Sequence, residues 1–211
     1  MPKPPENGVV RLPVRTRRAL TPDGSAERDA IVFCPLLARS MPIDLCAHCT
    51  RAEAQTEDAF LCRIQLPRDD GRPRVDVSEA AARTYVGEVL ARETVCVRED
   101  ASMEVVMGLL ADGAACVPVV SESGRLMGVA RRGATSYRSP EEARAIRAGV
   151  GAGPVGVTLP ESLPLSMAIA VIARTEEQPL PVLSEAGAVV GALSAVDIVR
   201  WVARRMGYDV G

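Results

Sequence analysis

Four cysteines in the first third of the chain, Cys34, Cys46, Cys49 and Cys62, are spaced C-x11-C-x2-C-x12-C. Thiolates are soft ligands, and four of them suit a tetrahedral zinc ion. Cys34 follows the apolar run Ile31-Val32-Phe33, and Cys62 lies inside Phe60-Leu61-Cys62-Arg63-Ile64. Two strands closing on the Cys46-Ala47-His48-Cys49 knuckle would bring the sulfurs together. A zinc ribbon usually has two C-x-x-C knuckles, and this segment has one. His48 is the single histidine and can stand in for one sulfur. Two other readings of the same thiols stay open: disulfides or unligated thiols, and a redox C-x-x-C or iron–sulfur cluster. Disulfides are disfavoured because no signal peptide is visible. A thioredoxin-like site is disfavoured because no βαβ unit surrounds the C-x-x-C. Cys96 and Cys116 alternate with apolar residues and read as core thiols.

Ser194 and Asp197 form the second pair with chemistry. They stand three residues apart where a helix is expected to begin, so both side chains can face one point. A carboxylate there can accept two hydrogen bonds from a ribose diol. The hydroxyl and the free N–H groups of the helix start can hold a phosphate, aided by the helix dipole. The same two residues also read as a helix cap, Ser at the N-cap with Asp in the first turn. No catalytic constellation accompanies them. There is no histidine outside the knuckle to act as a base, no nucleophile elbow and no P-loop. The chain reads as a non-enzyme.

The elements that position Ser194 and Asp197 occur twice. Residues 117–130, VPVVSESGRLMGVA, return as residues 180–193, LPVLSEAGAVVGAL, at an offset of 63 (Pro181 minus Pro118, Gly191 minus Gly128). A repeat of this length means a duplicated supersecondary unit whose copies pack on each other. Each copy reads as strand, tight turn, strand, with Gly124 and Gly187 at the turn. Ahead of each lies a helical pattern: Met103, Val106, Met107 and Leu110 after Ser102, then Met167, Ile169, Ala170, Ile172 and Ala173 after Pro164. Short strands precede the helices, at Thr94–Val97 and Val155–Thr158. A last helix is expected from Ala195 to Met206. Its counterpart is interrupted by an insertion, Arg131 to Pro140, and resumes at Glu141–Ala148. The copies diverge after the second strand. Ser194-Ala195-Val196-Asp197 answers to Arg131, Arg132, Gly133 and Ala134.

This β-α-β-β-α order, with Pro181-Val182, Glu185, Gly187 and Gly191-Ala192-Leu193-Ser194-Ala195-Val196-Asp197, resembles the cystathionine β-synthase (CBS) domain. Two in tandem, from about Thr84 to Tyr208, resemble a CBS pair, or Bateman module. The first copy carries Pro118-Val119, Glu122, Gly124 and Gly128 but lacks the terminal Ser/Thr-x-x-Asp. The resemblance implies an α+β (α/β) fold of two pseudo-symmetric repeats beside a small Cys-rich β element. It implies an adenine nucleotide or S-adenosylmethionine as regulatory ligand. Gly191, Ser194 and Asp197 would read the ribose, and Val95, Ala115, Cys116 and Val117 would line the adenine slot. It also implies a homodimer, an unidentified protein partner and a cytoplasmic location. The helix after Asp197, with Ile198, Val199, Trp201, Val202 and Met206, is apolar enough for an interface, and Trp201 is either its anchor or buried within the pair. The alternative function is a dimeric adaptor with vestigial ligand sites, whose Cys-rich zinc element contacts protein or nucleic acid.

The 211 residues hold 47% hydrophobic and 3% aromatic residues with a net charge of −2. That is ample for a core and gives no global drive toward nucleic acid. No apolar run reaches the length of a membrane span. The expected division is a loosely ordered arm over 1–30, the Cys-rich element over 31–65, a linker over 66–77, the first repeat over 78–148 and the second over 149–211.

Overall fold

The computed structural model describes residues 9–64, 76–91, 93–133, 139–176 and 178–208. The N-terminal part is a sheet: β1 (Val9–Leu20), β2 (Ala26–Cys34), β3 (Arg39–Pro42), the short helix α1 (Ile43–Ala47), β4 (Ala52–Gln55) and β5 (Ala59–Arg63). Two short helices follow, α2 (Val77–Arg83) and α3 (Val86–Val89). The first repeat runs β6 (Glu93–Arg98), α4 (Met103–Ala111), β7 (Cys116–Val120) and β8 (Leu126–Arg131). After α5 (Pro140–Ala145) and α6 (Ala148–Gly151), the second runs β9 (Leu159–Pro160), α7 (Leu165–Ile172), β10 (Leu180–Leu183), β11 (Val189–Leu193) and α8 (Ala195–Arg205). The architecture is mixed α+β, as expected.

The repeats are related by a pseudo-twofold exchange that the backbone hydrogen bonds make visible. Leu126 N–H donates to Gly187 O at 3.2 Å, and Val189 N–H donates to Gly124 O at 3.1 Å. Gly87 N–H donates to Glu161 O and Gly149 N–H to Glu99 O, both at 2.9 Å. The exchange crosses the sequence boundary between repeats. Ala81 of α2 and Val86 of α3 are buried with Leu165, Ile172, Leu180, Leu193 and Trp201 in the core of the second repeat. Ala143 of α5 and Ala148 of α6 complete the core of the first, with Met103, Val106, Leu110 and Val117. The α2–α3 pair therefore serves the second repeat, which its sequence position does not suggest, whereas α5 packs in the first repeat as expected.

Several expectations are corrected. The arm over 1–30 is ordered from Val9: β1 pairs antiparallel with β2 and β5 and parallel with β6, Thr16 opposite Glu93 through Leu20 opposite Val97. Its alternating Val10, Leu12 and Val14 carry strand periodicity that the surrounding arginines obscure. The N-terminal sheet is thereby continuous with the first repeat, in the order β3-β2-β1-β6-β7-β8. Residues 66–75 of the expected linker lie outside the described residues, as do Ala134 and the rest of 134–138. The strand expected at Val155–Thr158 is instead the two-residue β9, since Pro154 and Gly156 (φ 64°) break extended pairing ahead of it. The helix expected over Glu141–Ala148 breaks at Ile146, whose carbonyl accepts from Met103 N–H at 2.8 Å. Trp201 is buried within the pair, 8% exposed, with the Arg205 guanidinium 5.6 Å from its ring centroid. It is not an interface anchor. Among the described residues no helix is long and apolar enough to cross a membrane.

Candidate functional site at the start of the last helix

Helix α8 begins where the repeat motif ends. Ser194 is its N-cap, and its hydroxyl accepts from Asp197 N–H at 3.4 Å. Asp197 returns the contact: Oδ2 accepts from Ser194 N–H at 2.9 Å and from Ser194 Oγ at 2.6 Å. This is a capping box with aspartate in the glutamate position. Oδ1 faces the Arg200 guanidinium at 3.9 Å near the surface. The N–H of Ala195, one of the donors a helix start leaves open, is taken by Gln178 Oε1 at 3.0 Å.

The first repeat reaches the same place. Cys116 and Arg131 are paired across β7 and β8, and both contact Pro179 O, Cys116 Sγ at 3.7 Å and Arg131 Nη1 at 3.4 Å. Pro179 leads into β10, and Gln178 precedes it. Burial pushes the Cys116 thiol up, against the pull of Arg131. Gln178 and Pro179 were not picked out by sequence reasoning. Their signal was position: they stand immediately ahead of the repeated apolar-Pro-Val step. Of the expected adenine-slot residues, Cys116 is joined to the second repeat. Val117 is buried in the first-repeat core, Val95 pairs with Arg18 of β1, and Ala115 is exposed. Gly191 lies under Leu90: a Cβ there would stand 2.6 Å from Leu90 Cδ1.

The four N-terminal cysteines gather at one end of the N-terminal sheet. Cys49 N–H donates to Cys46 O at 3.0 Å, Ala52 N–H donates to Cys49 O at 2.9 Å, and Ala52 pairs with Cys62. Burial raises the Cys46 thiol, and the neighbouring charges of Cys34, Cys49 and Cys62 raise it further. The thiols point to different surroundings, however. Cys62 is buried and packs with half-buried Cys46 in the cluster of Leu12, Val32 and Phe60, Cys34 is half-buried at the end of β2, and Cys49 is exposed. Among the described residues no group of three or more His, Cys, Asp or Glu side chains is arranged to hold a metal ion. The side chains as placed do not form the expected zinc site.

With this geometry in hand, the profile of the CBS domain matches residues 86–133 and, again, residues 154–204. The two matches, one on each repeat, support a tandem CBS domain pair. Solved structures agree on the fold. Protein MJ1004 from Mathanocaldococcus jannaschii is 18% identical with a TM-score of 0.52, over 57% of this chain and 60% of that one. The chain thus spans less than two thirds of that protein. CbpB in complex with c-di-AMP is 17% identical with a TM-score of 0.52, over 61% of this chain and 91% of that one. CBSX2 from Arabidopsis thaliana in complex with AMP is 20% identical with a TM-score of 0.50, over 57% and 97%. At these identities the likeness of the CBS pair to its neighbours is one of fold. No curated protein sequence matches the chain.

Proposed function

We propose that this chain is a non-catalytic regulatory protein whose CBS pair binds an adenine nucleotide at the start of α8. The observation that carries the reading is that both repeats meet at Gln178-Pro179: Gln178 holds the α8 start beside Ser194 and Asp197, and Cys116 and Arg131 of the first repeat contact the Pro179 carbonyl. Asp197 Oδ2 is held by Ser194, which leaves Oδ1 turned outward toward Arg200 as the acceptor for a ribose hydroxyl. Arg131 and the dipole of the eleven-residue α8 favour an anionic phosphate. Two neighbours of the same fold are solved with AMP and c-di-AMP, which share the adenosine part. A ligand regulates only by binding one arrangement of the repeats better than another. Mass spectrometry of small molecules released by gentle denaturation of the purified protein tests this, with an adenine nucleotide expected.

One observation favours the adaptor instead. The capping box gives Ser194 and Asp197 a complete structural role without any ligand. If no adenine nucleotide is released and none raises the melting temperature, the CBS pair is a scaffold.

Two finer points belong to the same reading. The chain forms a homodimer through the exposed Met167, Val196, Val199 and Met206 on α7 and α8 and beyond; sedimentation at micromolar concentration checks this, and a monomer contradicts it. Cys34, Cys46, Cys49 and Cys62 bind one zinc ion by reorienting from their present placement. All four are free thiols drawn from β2, the α1 knuckle and β5.

A further inference from the structure

The N-terminal sheet touches both CBS repeats, by different means. On the first it is attached through backbone: Thr16–Leu20 of β1 continue the ladder of β6. On the second it is attached through side chains: Arg17 Nη1 donates to Val189 O at 3.5 Å, Ile31 packs against the second core, and Ser40 meets Glu161, directly after β9. Glu161 is 2% exposed. Its Oε2 accepts from Ser40 N–H of β3 at 2.8 Å and from the Ser40 hydroxyl. Its Oε1 is buried without a hydrogen-bond partner among the described residues. Arg15 of β1, 3% exposed, has all three guanidinium nitrogens in the same condition, and its guanidinium lies 5.9 Å from the Phe33 ring centroid. Burial lowers Arg15 to about 10, opposed by attraction to the carboxylates of Glu161 and Glu88.

The pseudo-symmetry supplies an internal control. Glu99 is the counterpart of Glu161 in the first repeat. Glu161 N–H donates to Leu183 O and Glu99 N–H to Val120 O, at 2.9 and 2.8 Å, and each carbonyl accepts from a glycine of a helix pair. The backbone role at this position is therefore common to both repeats, while the buried carboxylate contact to Ser40 belongs to the second. A backbone ladder opens cooperatively. Buried charges with unfilled hydrogen bonds hold weakly, because their lost hydration is not replaced. A groove of about 450 Å³ runs along this contact, lined by Ser40, Met41, Leu45, Glu161 and Glu185.

We propose that the N-terminal sheet is a strap, hinged on the first CBS repeat along β1–β6 and latched on the second by Ser40 at Glu161, and that the latch opens while the hinge stays closed. Relative movement of the repeats then acts on the latch first, and the β2–β3 hairpin becomes the part of the chain able to report their arrangement. The latch does not rest on the nucleotide reading, and its test uses no ligand.

Hydrogen–deuterium exchange on the full chain tests it. In Glu161→Ala the amides of Ile31–Pro42 are expected to exchange at least about tenfold faster than in wild type, with Thr16–Leu20 and Glu93–Val97 keeping their protection. Ser40→Ala, which removes the hydroxyl donor alone, shifts the same segment in the same direction by a smaller factor, and it decides the matter if Glu161→Ala unfolds throughout. In the double variant Arg15→Met with Glu161→Gln, which keeps an acceptor for Ser40 and removes both charges, Ile31–Pro42 is at least as protected as in wild type. Equal deprotection of hinge and latch in Ser40→Ala, or no change in any variant, overturns the proposal. Calorimetry with AMP on the same proteins tests the nucleotide reading separately.

Discussion

Asp197 carries a cap with one carboxylate oxygen and turns the other outward, so substitutions can separate its two roles. Asp197→Asn keeps an acceptor for the Ser194 N–H and hydroxyl and removes the charge. It is expected to retain the wild-type melting temperature and to lose at least about tenfold in nucleotide affinity, since charge-assisted hydrogen bonds are worth roughly 1.5–3 kcal/mol. Asp197→Ala loses both, with a stability cost of about 0.5–2 kcal/mol for the cap. Melting curves beside binding isotherms check the pair; a variant that melts low and binds normally marks a cap alone. Gly191 offers a second check at this scale. An added Cβ would meet Leu90 Cδ1 at 2.6 Å, and overpacking of this kind costs about 1–3 kcal/mol. Gly191→Ala is expected to destabilise by that amount in chemical denaturation. Ser194 and Asp197 were legible as a pair because their spacing fits the first turn of a helix. Gln178 and Pro179 were not, since nothing in residue type marks a backbone carbonyl or an amide side chain that meets the helix start only in three dimensions. Glu161 was equally silent. A lone glutamate after a short strand gives no sign that Ser40, distant in sequence, buries it.

Among the elements, the hairpins, α4, α7 and α8 followed from the internal repeat and from apolar spacing. The misreadings came where charge or glycine masks periodicity. β1 is dense in arginine, yet Arg15 faces inward and Arg17 reaches Asp29 and the Val189 carbonyl, so the charges are part of the packing. β6 carries a testable consequence of burial. Cys96 is fully buried there, and burial raises its thiol from 9.0 to about 12. The unfolded chain therefore loses this proton first as pH rises above 9, and the folded state loses stability relative to it. Between pH 9 and 10 the loss is about 1 kcal/mol from this one group. Above pH 10 the lowered Arg15 acts in the opposite direction, because the folded state then releases its proton before the unfolded one. Denaturant melts at pH 8, 9 and 10 should show the decline in wild type and a flatter profile in Cys96→Ala. An equal slope in both would place the titration elsewhere.

At the scale of the whole molecule, the two repeats carry the fold of a tandem CBS pair, and the N-terminal sheet continues the first of them through β1 and β6. The tandem fold was legible because duplication leaves a register in the sequence. The packing of α2 and α3 into the core of the second repeat was not, because α2 carries no residue that says which core it enters. The cysteine knuckle was legible as a gathering of thiols, and the structure does gather them, but with Cys62 and Cys46 in the core and Cys49 outside. Metal analysis of protein prepared with zinc and without chelator is expected to give about one zinc per chain. Four freely titrating thiols and no metal would end that proposal. The claim on which the functional account stands is that the CBS pair reads an adenine nucleotide at α8. Calorimetric titration of the full chain with AMP, ATP, c-di-AMP and S-adenosylmethionine tests it most directly. The account predicts that at least one binds wild type below millimolar concentration and binds Asp197→Asn at least about tenfold more weakly; no binding to wild type by any of the four, or equal binding to both proteins, contradicts it.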